Sequence, residues 1–238
     1  MTGCVWRVHD LPQRPREAPE ERRSDRRARA GNLDPAQPPV KTKTPSQDEM
    51  KIRIARFKEL VSTKARHAED KGIPQEVLEL ITAKNTFNVM SPEGLGGQLS
   101  PKPPVVGGDA GVFRLGIVTC PSGNGPGLHV HWSTHETFMA LTGKWQIRWG
   151  DKGEESTIIE PFDLIAVPPR VTRTFVNVSD HDAHLLVIIQ GKPDEFDDVG
   201  RVPETAELIA RKFGEGMVKK LESLGWQFTL QANAPPES

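Results

Sequence analysis

Between about Phe87 and Gln190 the chain reads as a train of short apolar runs, each interrupted by Gly, Pro or Asp. "GVFRLGIVTC", "LHVHW", "ETFMALTG", "KWQIRWG", "STIIE", "FDLIAVP", "TRTFVNV" and "AHLLVIIQ" follow one another, with the polar turn "GDKGEE" between Trp149 and Ser156. Eight strands at such spacings predict a sandwich or a barrel. The 21 glycines and 21 prolines favour turns over long helices. A chain of 238 residues has room for one large domain or two small ones.

The flanks differ in composition. Residues 1–45 hold 7 of the prolines and the charge-dense stretch "RPREAPEERRSDRRARAG". With few aliphatics and no apolar period, they are expected to be a disordered tail. Residues 46–86 read as a helical arm. "SQDE" fits a capping box with Ser46 as N-cap and Glu49 three residues on, and Met50, Ile54, Phe57 and Val61 then recur at helical spacing over 47–62. A second helix is predicted from Pro74, with Ile73, Val77, Leu80 and Ile81 as its apolar face. The barrel is expected over 87–195. Over 196–238, one helix follows Pro203 and another ends at Gly225, with fraying from about Ala232.

Several function classes are excluded or unsupported. A net charge of -1 argues against a bulk electrostatic nucleic-acid binder. No tyrosine is present to act as acid, base or nucleophile. Cys4 and Cys120 match no zinc or redox spacing. No Gly-x-Ser-x-Gly elbow occurs, and "GNGPG" at 123–127 leads into a strand rather than the helix N-terminus a phosphate cradle needs. With no apolar membrane span and no signal-peptide core, a cytoplasmic location without a membrane partner is expected.

Chemistry concentrates at His129, His131, His135 and Glu136. In a strand, residues two apart share a face, so His129 and His131 point the same way. Glu136, after a short connection, is placed to return to the same centre. Two imidazoles and a carboxylate form a facial set that suits Fe(II), Mn(II), Ni(II) or Zn(II) and leaves open positions for substrate.

The spacing extends further. Gly123, five residues, His129, one residue, His131, four residues, Glu136, six residues, Gly143 resembles the first signature motif of the cupin superfamily at every fixed position. The resemblance covers roughly residues 105–195. It implies a mainly β protein, a single double-stranded β-helix barrel of jelly-roll type flanked here by N- and C-terminal helices. It also implies a divalent metal and chemistry such as dioxygenation, isomerisation, epimerisation or decarboxylation of a small organic molecule.

The second cupin motif is incomplete. Pro168 and Asn177 match, Phe162 and Arg170 stand where glycines are usual, and Arg173 replaces the fourth ligand, a histidine. A unit charge about 4 Å from a dication at an effective dielectric near 20 is repelled by about 8 kcal/mol. Arg173 therefore swings away on its stem, or replaces the metal and pairs with Glu136. In a third arrangement His129, His131 and Glu136 keep the metal, His135 or water fills the gap, and Arg173 turns outward to clamp a substrate carboxylate.

Glu136 and Arg173 are thus the candidate catalytic residues, and His129, His131, Glu136 and His135 the candidate ligands, with His135 also readable as a rim residue. Trp145, Trp149, Phe138 and Phe175 are core residues or walls of a pocket for an aromatic substrate. His184 opens an apolar strand and reads as structural. The leading expectation is a metal-dependent enzyme, with a metal-free ligand-binding module as the alternative. A homodimer is expected, with helices packing across the pair and covering sheet edges.

Overall fold

The computed structural model describes residues 44–51, 53–62, 72–91, 113–192 and 198–230. The expected tail and the C-terminal fraying from Ala232 fall largely outside these residues.

Ten strands form two antiparallel sheets of five. The first, in the order β1-β2-β9-β4-β7, joins Asn85–Met90, Phe113–Cys120, Ala183–Gln190, His135–Ala140 and Leu164–Val167. The second, β10-β3-β8-β5-β6, joins Val199–Arg201, His129–His131, Arg173–Asn177, Trp145–Trp149 and Glu155–Ile159. All eight predicted strands are present. The fold is mainly β with flanking helices, as expected.

Period-2 alternation decides which residues enter the core. Val118 and Cys120 of β2, Phe138 and Ala140 of β4, and Trp145 and Ile147 of β5 are buried while their neighbours are more exposed. Phe175 is the meeting point, edge-on to Phe138 at 5.2 Å and to Trp145 at 5.8 Å. Buried Asn177 staples the loops at one end, donating from Nδ2 to the carbonyls of Cys120 and His181.

A second apolar cluster lies among the helices. Val77, Leu78 and Ile81 of α1, the helix Gln75–Ile81, pack with Ile209 of α2 (Pro203–Phe213), Leu221 of α3 (Glu215–Ser223) and Trp226. Both C-terminal helices form as their apolar spacing predicts.

The N-terminal arm departs from its sequence pattern. The capping box closes reciprocally: Ser46 N–H donates to Glu49 Oε2 at 2.7 Å, and Glu49 N–H to Ser46 Oγ at 3.2 Å. The helix it starts, however, ends at Lys51, and only a 3₁₀ turn follows at Phe57–Glu59. Met50, Ile54, Phe57 and Val61 are all at least 40% exposed. A helical stripe needs a surface to bury it. Instead Phe57 is drawn edge-on to Phe87 at 5.1 Å and to His184 at 5.4 Å, and that tertiary contact overrides the local period.

The incomplete second motif has a backbone counterpart. Phe162 (φ 75°) and Arg170 (φ 65°) are the non-glycine residues with left-handed backbones among those described. They stand where the family usually has glycine. Hydrogen bonds hold both turns: Phe162 N–H to the Ala140 carbonyl at 2.8 Å, and Arg170 N–H to the His131 carbonyl at 2.7 Å. At Gly143 (φ 69°) glycine is retained, because a Cβ would lie 2.6 Å from the Ala183 Cβ.

A left-handed backbone costs a residue with a Cβ about 1–2 kcal/mol, and glycine's extra unfolded-state freedom returns about 0.5–1 kcal/mol. Phe162→Gly and Arg170→Gly should therefore each stabilise the fold by about 0.5–1 kcal/mol, raising Tm by about 2 °C. Thermal unfolding of the two variants checks this, and a lower Tm in both would contradict it.

Candidate metal centre

β3 places His129 and His131 on one face, as period 2 requires, and both are buried. Glu136 shares the inward face of β4 with Phe138 and Ala140, so a carboxylate ends a row of core residues. The same alternation turns His135 outward, and its side chain is exposed. His135 therefore does not join the ligand group. That group is His129, His131 and Glu136, whose ligand atoms all lie within 4.8 Å of one another. Each imidazole Nε2 is 3.6 Å from Glu136 Oε2.

Hydrogen bonds fix the protons. His129 Nδ1 is 2.9 Å from the Gly127 carbonyl oxygen, which only accepts, so Nδ1 carries the proton. His131 Nδ1 is 2.9 Å from Asp198 Oδ1 and 2.9 Å from Thr134 Oγ1. Asp198 also accepts from the backbone N–H groups of Ser133 and Thr134, both at 2.7 Å. Burial alone would raise the Asp198 pKa. The His131 contact and the two backbone donors outweigh it and bring it to about 2. Asp198 is thus ionised at neutral pH, and His131 donates to it from Nδ1. With Nδ1 engaged in both rings, Nε2 is the nitrogen each turns toward Glu136.

Burial lowers the His129 pKa against the opposing pull of Glu136, which favours the neutral ring. Burial also acts to raise Glu136, but His131, His129 and Arg173 together bring it down to about 2. Glu136 Oε2 thus faces the two Nε2 atoms at 3.6 Å and Arg173 Nε at 3.5 Å, without a hydrogen-bond partner. An anionic carboxylate held this way, beside ring nitrogens that offer lone pairs when unprotonated, attracts a cation. The donor set therefore fits a divalent ion bound by two nitrogens and one oxygen, with both imidazoles oriented from behind.

Arg173 does not turn outward. Its side chain is fully buried, with Nε 3.5 Å from Glu136 Oε2 and Nη2 donating to the Pro168 carbonyl at 3.2 Å. Burial lowers its pKa, opposed first by Glu136 and then by Asp198. Among these four site residues and Asp198, two carboxylates face one guanidinium, a net charge of -1. Asp198 adds a second carboxylate to the surroundings of Arg173 and His131. Sequence reasoning missed it because it lies 67 residues beyond His131, outside any motif.

A cavity of ≈ 200 Å³ adjoins the centre and is lined in part by His129, His131, Glu136 and Phe175. Arg173 lies opposite His129 in register, on the same face, and is not among the residues that line this cavity. Of the four aromatic candidates, Phe175 reaches the wall. Trp145 and Phe138 are fully buried in the core between the sheets, and Trp149 is half-buried opposite Arg173 in register. Trp145 and Phe138 share the inward face with the site but lie further along their strands, in core packing rather than at the cavity. His184 is structural, bonded through Nδ1 to Thr119 Oγ1 at 2.8 Å. Arg201, unassigned by the sequence reading, also lines the cavity. Burial brings its pKa down to about 9, still cationic at neutral pH.

Two antiparallel sheets with a buried His129–His131–Glu136 group between them give a small β-barrel fold with candidate metal ligands inside. Residues 116–189 match the family model described as Cupin domain, and this stretch of the chain is a cupin domain. No curated protein matches the sequence. Among solved structures, the Cnp3 cupin domain of Schizosaccharomyces pombe is similar at 16% identity and TM-score 0.33, covering 37% of this chain and 61% of that one. A Cupin 2 conserved barrel domain protein from Salinispora arenicola is 15% identical, TM-score 0.33, over 44% and 74%. A predicted oxalate decarboxylase from Thermotoga maritima is 19% identical, TM-score 0.31, over 33% and 65%. The chain spans less than two thirds of the length of the first and third of these. Among the described residues no helix is long and apolar enough to cross a membrane.

The Asp198 carboxylate has a folded pKa below its ordinary 3.8. Its contribution is therefore complete above about pH 4 and is lost as pH falls toward about 2. Asp198→Asn should cost about 2 kcal/mol at neutral pH, and the gap to the native chain should narrow through that acid window. Urea unfolding at the two pH values measures both. A pH-independent gap would contradict the assignment.

Proposed function

We propose that this chain is a cupin enzyme that holds one divalent first-row metal ion with His129, His131 and Glu136. Its substrate is a small organic molecule bound in the adjoining cavity. The observation that carries this reading is the convergence of His129, His131 and Glu136, whose ligand atoms lie within 4.8 Å of one another while both Nδ1 atoms are engaged behind the rings. When bound, the ion would supply a Lewis-acid or redox centre, the basis of dioxygenase-, isomerase- or lyase-type reactions.

The chain's own residues do the rest. Gly127 and Asp198 hold the two rings against rotation. Arg173 Nε, 3.5 Å from Glu136 Oε2, helps keep that carboxylate anionic. Apolar walls, Phe175 among them, exclude water from bound substrate. A cytoplasmic homodimer belongs to the same reading.

One observation favours a second reading. Arg173 already places a positive charge 3.5 Å from Glu136 Oε2. In a metal-free binding module that guanidinium would serve as the cation of the site.

Untagged protein loaded anaerobically with Fe(II) or Mn(II), desalted and assayed by plasma mass spectrometry separates the two. The enzyme reading expects about one ion per chain, abolished by His131→Ala, and an approximately 10- to 100-fold weaker affinity in Asp198→Asn. A native chain that retains no metal, beside an Arg173→His variant that does, would establish the metal-free module instead.

A further inference from the structure

We propose that Arg201 anchors the carboxylate of the ligand, and that the cavity takes a small monocarboxylic acid with an apolar, ring-sized body. The inference deepens the function proposed above and rests on it for the fate of the bound acid.

Register brings Arg201 to the site. β10 pairs with β3 so that Arg201 lies directly opposite His129 and Val199 opposite His131. Directly opposed residues share a face, with Cβ atoms about 5 Å apart. Arg201 and Val199 accordingly both line the cavity. The Arg201 backbone N–H donates to the Gln227 carbonyl at 2.9 Å, and its Cζ stacks 4.1 Å from the Trp226 ring centroid. Stacking holds the guanidinium plane without using its in-plane N–H donors.

Those donors lack an anion. Arg201 Nε is buried with no hydrogen-bond partner, and among the described residues no carboxylate pairs with this guanidinium. A cation taken out of water without a counter-charge is costly, and a carboxylate arriving with the ligand would remove that cost. The planar fork of N–H groups matches a carboxylate in a bidentate pair.

The remaining wall sets the body of the ligand. Val118, Phe175, Val187 and Ile189 give the cavity apolar lining. A cavity of about 150 Å³ accepts benzene, so ≈ 200 Å³ accommodates a ring of that size with one small charged group. Benzoate is the matching probe, and benzamide is its uncharged counterpart.

Isothermal titration of the full chain, as purified and after chelation, tests this. Benzoate should bind about 10- to 100-fold more tightly than benzamide, the range a charge-assisted pair contributes. Arg201→Met should weaken benzoate by a similar factor, leave benzamide unchanged, and retain the native metal content. Arg201→Lys should recover part of the loss. The benzoate-to-benzamide ratio on the native chain needs no variant, so a misfolded Arg201→Met leaves the test intact.

Equal affinity for the two probes, no heat with millimolar benzoate, or native benzoate affinity in a folded Arg201→Met would overturn the proposal. So would benzoate binding that vanishes on chelation yet ignores Arg201, since the carboxylate would then sit on the metal. Arg201-dependent benzoate binding by a chain that holds no metal would sink the metalloenzyme reading and leave this one standing. A metal-loaded chain indifferent to benzoate would do the reverse.

Discussion

One cross-strand row carries the site. Arg201 of β10 lies opposite His129 of β3, His129 opposite Arg173 of β8, and Arg173 opposite Trp149 of β5. The charges and the ligand of that row meet because three register assignments agree. A slip of one residue in β3 would turn His129 and His131 to the other face and present Val130 to the cavity. The pairing is short, since β3 has three residues and meets β8 at a single register pair. Its neighbours therefore matter: Arg170 N–H holds the His131 carbonyl, and Asp198 holds the His131 ring.

Electrostatics explains how an arginine can occupy the place of a ligand. A guanidinium beside Glu136 would make a dication site untenable if Glu136 were the sole carboxylate. Asp198 changes that sum. It is buried behind His131, ionised, and saturated with donors. Arg173 can then stabilise Glu136 as an anion beside the second carboxylate of Asp198. Arg201, beside His129 on the neighbouring strand, is the positive charge proposed to anchor an anionic ligand near the same centre.

The sequence was most legible where strands are long and alternate. Phe113–Cys120 and Ala183–Gln190 each show eight residues of β pattern, and their pairing organises the first sheet. The first motif also survives translation into space, because His129, His131 and Glu136 depend only on a period of 2 and a short connection. β1, "NTFNVM", carries two asparagines and lacks clear alternation, and β10 is the three residues "VGR". Such segments become strands through pairing rather than propensity. Asp198 and Arg201 flank or sit in one of them, so the residues that balance the site and face its ligand were invisible. The N-terminal arm failed for the opposite reason: Met50, Ile54, Phe57 and Val61 have a clear period but no core to receive it. His135 illustrates a third limit, since adjacency to Glu136 in sequence means the opposite face in a strand.

The central claim is that three buried donor atoms share one cation. Anomalous diffraction from crystals soaked in Mn(II) addresses it directly. The account predicts a single strong peak about 2.0–2.3 Å from His129 Nε2, His131 Nε2 and Glu136 Oε2, with Asp198 still on His131 Nδ1. A site without a peak, in which the Arg173 guanidinium is hydrogen-bonded to Glu136 between the two rings, would contradict it.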